Sequence, residues 1–179
     1  MELVNAVGGG NLYIELDLAQ LQKELECHKT TYDPEYHPAL KLLFDPDGAT
    51  VLLFRTGKYN IAGASSIEEL QKTSDRLKSE MNNVLQDWTI DQKDCFEIRN
   101  LVFVEQLPSE FELSVLLDRL QCGETKYNPE QSQCIFYKPA YASGTFMIFR
   151  TGKIILTGES STANADKSME NLVSELPLS

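Results

Sequence analysis

Nowhere in these 179 residues do eighteen apolar side chains follow one another, so no segment is suited to cross a bilayer as a helix. The opening stretch MELVNAVGGGNLYIEL has no basic region ahead of an apolar run, and a secretory leader is not expected. Cysteine and histidine are scarce, at four and two, and Cys27, Cys95, Cys122 and Cys134 are separated by 68, 27 and 12 positions with no Cys-x-x-Cys pair. Those spacings fit no zinc-ligand pattern, so no metal or cofactor is expected and the thiols are read as small buried side chains. Positive charge is also short: 16 Lys and Arg against 27 Asp and Glu leave a net charge of −11, which argues against indiscriminate nucleic-acid binding but not against local basic patches. No Ser/His/Asp or Cys/His constellation is repeated, and the acids fall on amphipathic helical patterns as solvated charges, so the chain is read as a non-enzyme.

What the chain does have is a repetition. The pentapeptide FRTGK occurs at Phe54 to Lys58 and again at Phe149 to Lys153. At a constant offset of 95, residues 16–66 and 111–161 are identical at 17 of 51 positions without a gap, which marks a duplicated unit. A period near 95 is too long for a solenoid, so two copies predict a pseudo-twofold object with a first repeat at 1–88 and a second at 89–179.

Each copy reads alike. LVNAV and IRNLVFV are strand-like, and the leucines of LDLAQLQKEL and FELSVLLDRL fall at helical spacing. Tyr-Asp-Pro or Tyr-Asn-Pro then turns the chain into a strand. Asp-Pro-Asp-Gly joins ALKLLF to ATVLLF as a hairpin, with Ala-Ser-Gly in the same place in the second copy. Thr-Gly-Lys leads into a further strand, and a longer helix closes each copy, with Ile67, Leu70, Leu77, Met81 and Val84 on one face and Met169, Leu172, Val173 and Leu176 on the other copy's face. Ser66 and Ser161 are placed to cap those helices. Gly8-Gly9-Gly10 reads as a flexible link between the first strand and helix, and Trp88 is expected to pack between the repeats. In VLLFRTGKYNI both strand faces are apolar, yet helices can cover only one, so the other is a binding surface or a dimer interface.

The series N-x-V, leucine-rich helix, Y-[DN]-P-E, hairpin, F-x-x-G-K and G-x-S before a long helix, present twice over residues 2 to about 176, resembles the TATA-box-binding protein family. The resemblance implies an α+β fold: a pseudo-twofold saddle of two strand-helix-antiparallel strands-helix repeats, with about ten strands in one curved antiparallel sheet and helices on the convex face. It also implies a general transcription initiation factor that binds double-stranded, TATA-like promoter DNA in the minor groove and recruits transcription factor B and, indirectly, RNA polymerase. The YDPE form looks archaeal, which implies a cytoplasmic, nucleoid-associated protein, or a nuclear one from a eukaryotic source, with no membrane contact. Residue by residue, Asn5 and Asn100 match the family's paired minor-groove donors, and Val7, Val102, Leu52, Met147, Ile155 and Thr157 match groove-facing positions. Phe54 and Phe149 match one wedge in each half. Lys58 and Lys153, with Arg55 and Arg150 beside them, match basic positions suited to phosphate. Glu130 and Gln131 match the site where transcription factor B docks.

The departures are specific. The second wedge of each half is His37 or Ser132, a concave-strand valine is Asn60, the small hydroxyl residue two positions on is Ala62, and the first hairpin carries Asp45 and Asp47 where phosphates should run. Residues 49–66 and 136–158 nevertheless contain Arg or Lys and no acid. The alternative reading is a saddle-fold interaction module or regulator with weakened DNA binding, which titrates a transcription partner or buries its concave face in a homodimer.

Overall fold

The computed structural model describes residues 1–85 and 96–177; Trp88 and Cys95 lie outside that range. The elements run β1 (Glu2–Asn11), α1 (Leu18–Glu24), β2 (Lys29–Thr31), β3 (Ala39–Leu43), β4 (Thr50–Phe54), β5 (Lys58–Ala64) and α2 (Ile67–Val84). The series then recurs as β6 (Glu97–Gln106), α3 (Leu113–Leu117), β7 (Gly123–Lys126), β8 (Cys134–Pro139), β9 (Thr145–Phe149), β10 (Lys153–Glu159) and α4 (Thr162–Glu175). Ten antiparallel strands and four helices are the α+β class read from the sequence. Contacts divide the chain into one unit of Asn5–Arg99 and another of Met1–Val4 with Asn100–Ser179.

In the first unit the strand order is β2-β3-β4-β5-β1, and in the second β6-β10-β9-β8-β7. Period-two alternation decides what each strand buries. Val51 and Leu53 of β4, Tyr59 and Ile61 of β5, and Leu40 and Leu42 of β3 are fully buried, and α2 covers them with Leu70, Leu77 and Met81. In the second unit Phe146, Ile148, Ile154 and Leu156 play the same part with Ala165, Met169 and Leu172 of α4. Each such Leu, Ile or Phe contributes about 1.5–3 kcal/mol by leaving water. The short helices pack in equivalent places too, α1 on β3 and α3 on β8.

Three polar contacts tie strands to helices or turns on the covered faces. The Tyr59 hydroxyl and Ser74 Oγ lie 2.9 Å apart, the Tyr137 hydroxyl donates to Glu175 Oε2 at 2.9 Å, and the buried Glu159 carboxylate accepts the Gly144 amide at 3.1 Å. Burial, then the bond to Glu175, pushes the Tyr137 phenol well above its ordinary value.

FRTGK has a structural meaning in each unit. Gly57 and Gly152 close turns on Phe54 and Phe149 with φ of +78° and +81°, and a Cβ there would lie 2.5 Å from the Ile14 carbonyl or 2.4 Å from that of Ser109. The same turns latch onto the strand-to-helix connection: Leu12 N donates to Gly57 O and Leu16 N to Arg55 O, and 95 residues on, Leu107 N donates to Gly152 O and Phe111 N to Arg150 O.

Three expectations are corrected. Gly8, Gly9 and Gly10 are no flexible link but strand residues of β1, paired with Ile61, Asn60 and Tyr59. A Cβ at Gly8 would meet Leu70 of α2, and one at Gly9 the carbonyl of Tyr59, so close packing explains the absence of side chains. Ser66 caps α2, accepting the Glu69 amide at 3.0 Å, whereas Ser161 occupies the N-cap of α4 without a side-chain bond. Of the thiols described, only Cys134 is buried; Cys27 is half-buried, its pKa pushed up by desolvation, and Cys122 is exposed.

Candidate nucleic-acid interface

The sheet face that the helices leave uncovered in each unit is the candidate site. On the first unit it carries Leu52, Phe54, Asn60, Val7 and Asn5, all half-buried beside fully buried neighbours in sequence. On the second it carries Met147, Phe149, Ile155, Thr157, Val102 and Asn100 in the same state. Cross-strand register brings them together: Leu52 faces Asn60, Met147 faces Ile155, and Thr157 faces both Val102 and Thr145. An apolar face with a few convergent polar groups is the composition of a recognition surface.

The asparagines are oriented by backbone. Register shifts beside Gly63 and Gly158 give those residues φ of +88° and +95°, a bulge geometry that favours glycine. Asn5 Oδ1 accepts the Gly63 amide at 3.2 Å; Asn100 Oδ1 accepts the Gly158 amide at 2.7 Å and the Thr157 hydroxyl at 3.3 Å. A backbone N–H only donates, so the oxygen must point toward it and the Nδ2 hydrogens remain as donors on the open face.

The wedge positions differ between units. The His37 ring lies 6.4 Å from that of Phe54, tilted by 43°, and its Nδ1 accepts the Ala39 amide at 3.1 Å. Ser132 instead folds onto its own strand, donating to Cys134 O at 2.9 Å and accepting from Cys134 N at 3.2 Å. Among the described residues Phe149 therefore has no ring companion of the kind that His37 gives Phe54. Phe136, 39% exposed and facing Met147 across β8 and β9, adds an apolar group that the sequence reading passed over, although strict alternation with buried Ile135 and Tyr137 signals it.

Lys58, Lys153, Arg55 and Arg150 are exposed at the turns, and Arg55 makes a long, solvated contact of 3.8 Å with Glu15. The acidic hairpin is less hostile to phosphate than its sequence implies. Asp45 pairs with Arg76 of α2 at 3.0 Å, and that guanidinium sits 5.0 Å above the Phe44 ring, which offsets one of the two carboxylates. Glu130 and Gln131 are exposed in the turn between β7 and β8, where Asn128 Oδ1 accepts the Glu130 amide at 3.0 Å. Asp33 does the same for Glu35 at 3.2 Å in the first unit, which is why Asp and Asn interchange in that motif. Arg99 is the other group missed: its guanidinium donates to Asn60 Oδ1 on the open face of the first unit. The signal lay in what the repeats do not share, since position 99 aligns with Val4.

A family model described as "Transcription factor TFIID (or TATA-binding protein, TBP)" matches residues 1–84 and 95–177. The chain belongs to the TATA-binding protein family. It is 30% identical to TATA-box-binding protein C of Halobacterium salinarum, over 98% of this chain and 97% of that one. It is also 28% identical to the TATA-box-binding protein of Pyrococcus horikoshii, over 98% and 89%. The solved structure of the Methanococcus jannaschii protein of this family superposes with a TM-score of 0.83 at 25% identity, covering 97% of this chain and 96% of that one. Membership in this family identifies a general transcription factor rather than an enzyme. No helix among the described residues is long and apolar enough to cross a membrane.

Proposed function

We propose that the chain binds A/T-rich promoter DNA in the minor groove through the open face of each repeat and presents Glu130 and Gln131 to transcription factor B, acting where the nucleoid's promoters are. The observation that carries this reading is the matched pair of anchored asparagines. A·T pairs offer only acceptors in the minor groove, whereas G·C adds the guanine amino donor, so Nδ2 hydrogens held outward on an apolar face favour A·T. Leu52, Met147, Val7, Val102, Ile155 and Thr157 supply the surrounding contact surface, and Phe54 and Phe149 the wedges. Arg55, Lys58, Arg150 and Lys153 supply phosphate contacts, which position without specifying. The family is the type case of kinking by apolar wedges; with Ser132 folded inward, this member is expected to kink the duplex less in its second half.

Fluorescence anisotropy of an A/T-rich duplex against a G/C-matched one, across salt concentrations and with and without transcription factor B, tests the reading. Preference for the A/T duplex, enhanced by the partner, supports it. A second reading, an interaction module that has given up DNA, is favoured by Ser132 and His37 at the two wedge positions and by the Asp47 carboxylate; capture of transcription factor B with no DNA binding at any salt would establish it instead.

A further inference from the structure

The two repeats agree at FRTGK and at the anchored asparagines, and among their differences on the open face one pair of positions exchanges charge and hydrogen-bonding groups for hydrocarbon. In the first unit Asn60 and Arg99 form a polar pair, the guanidinium donating to Asn60 Oδ1. Shifted by 95 residues, Asn60 corresponds to Ile155 and Arg99 to Val4, so the second unit has two apolar side chains there. The backbone accommodates the difference. Arg99 lies across Gly9, where a Cβ would come within 2.8 Å of its Nη1 and 2.9 Å of its Cζ, whereas the residue equivalent to Gly9 is Val104. Pro38, Phe54, Arg55, Lys58, Asn60 and Arg99 line a hollow of ≈ 360 Å³ on that face, three of them cationic.

We infer that the Asn60–Arg99 pair is a specificity determinant that breaks the equivalence of the two repeats and sets the direction in which the protein lies on its DNA site. The inference rests on the minor-groove reading above. Arg99 can only donate, and Asn60, with its oxygen engaged, presents its Nδ2 hydrogens. The pair is thus matched to the acceptors of A·T and opposed by the guanine amino group, while Ile155 and Val4 have no hydrogen-bonding preference. Given a site with A·T pairs in one half and G·C in the other, the first repeat takes the A·T half. Arg55 and Lys58 hold phosphates close beside the pair, but Arg150 and Lys153 do the same in the second repeat, so the directional bias falls to Asn60 and Arg99.

The test is orientation by energy transfer. A donor dye on the exposed Cys122, with Cys27 and Cys95 replaced by alanine, is read against an acceptor at either end of a duplex whose site carries G·C pairs in one half only. The expected result is a bias of roughly fivefold or more toward the first repeat on the A·T half, the range of one good base-edge contact. The bias should vanish when inosine replaces guanine, since inosine lacks the amino group. It should also vanish in Asn60→Ile/Arg99→Val, which copies the second repeat's pair. Asn60→Ile alone, which retains the arginine charge, should lose most of it as well. Bound complexes that keep the wild-type bias in either variant, or with inosine, overturn this inference and leave the proposed function standing. Absence of binding to any duplex by the unsubstituted protein overturns both.

Discussion

The Gly158 amide donates to Asn100 Oδ1 at 2.7 Å, and the Gly63 amide makes the same bond to Asn5 at 3.2 Å, 95 residues earlier in the chain. A bulge glycine in each repeat therefore decides which end of an asparagine amide faces outward. The outward Nδ2 donors are a by-product of sheet irregularity: a regular ladder would have spent that N–H on the neighbouring strand.

Replacing Asn100 by aspartate separates the two ends of the side chain. Asp keeps the oxygen that accepts the Gly158 amide and removes the Nδ2 donors, so the fold is retained while A/T-duplex affinity falls by about tenfold or more, in line with a lost base contact plus repulsion of the phosphates. Anisotropy together with a thermal melt checks it; unchanged affinity in a folded N100D protein would exclude the donor role.

The latch turns predict a graded glycine series. Gly57→Ala and Gly152→Ala each combine a left-handed backbone with a contact of about 2.5 Å to a carbonyl, so each should cost more than about 2 kcal/mol. Gly63→Ala has the same sign of φ but nothing within 4 Å of the added carbon, and only the backbone cost of about 1–2 kcal/mol is expected. Urea midpoints of the three variants should rank accordingly.

Glu69 gives a pH signature. Its Oε2 accepts from the Ser65 hydroxyl at 2.7 Å and the Ser65 amide at 2.8 Å, and its Oε1 from the Ala49 amide at 3.1 Å; the Ser65 bonds above all hold its carboxyl below the ordinary value. A depressed folded pKa contributes stability that is present above the unfolded value of about 4.3 and is lost as pH falls below it through the folded value. Glu69→Gln should therefore lower stability by about 1 kcal/mol at neutral pH, as loss of a cap does, and by less in acid. Melting temperatures from pH 6 down to pH 3 should converge for the two proteins; parallel curves would rule the linkage out.

Glu130→Ala removes an exposed side chain whose backbone amide, not its carboxylate, is tied to Asn128. Melting temperature and binary DNA affinity are expected to stay unchanged while assembly with transcription factor B weakens several-fold. Gel-shift titration of the ternary complex reads this directly, and full partner affinity would move the docking site elsewhere.

The duplication, the element order, both hairpins and the alternating faces of β4 and β9 were legible from sequence because they are local: periodicity and turn chemistry act within a dozen residues. Phe54 and Phe149 were placed on the open face by their match to the family's wedge positions, because alternation alone leaves both faces of β4 apolar. Partners distant in the chain were not legible. Three consecutive glycines signal a flexible link until β5 supplies their hydrogen bonds and α2 fills the space over Gly8. Asp45 is a bare carboxylate until Arg76 arrives from a helix 31 residues away. Sequence by itself determined that this protein is two copies of one unit in the TATA-binding family, because repetition and motif order are properties of the string. Only tertiary structure decided which way Asn5 and Asn100 point and that Arg99 lies across Gly9 onto Asn60, because a hydrogen bond's direction depends on atoms that only folding brings within 3 Å.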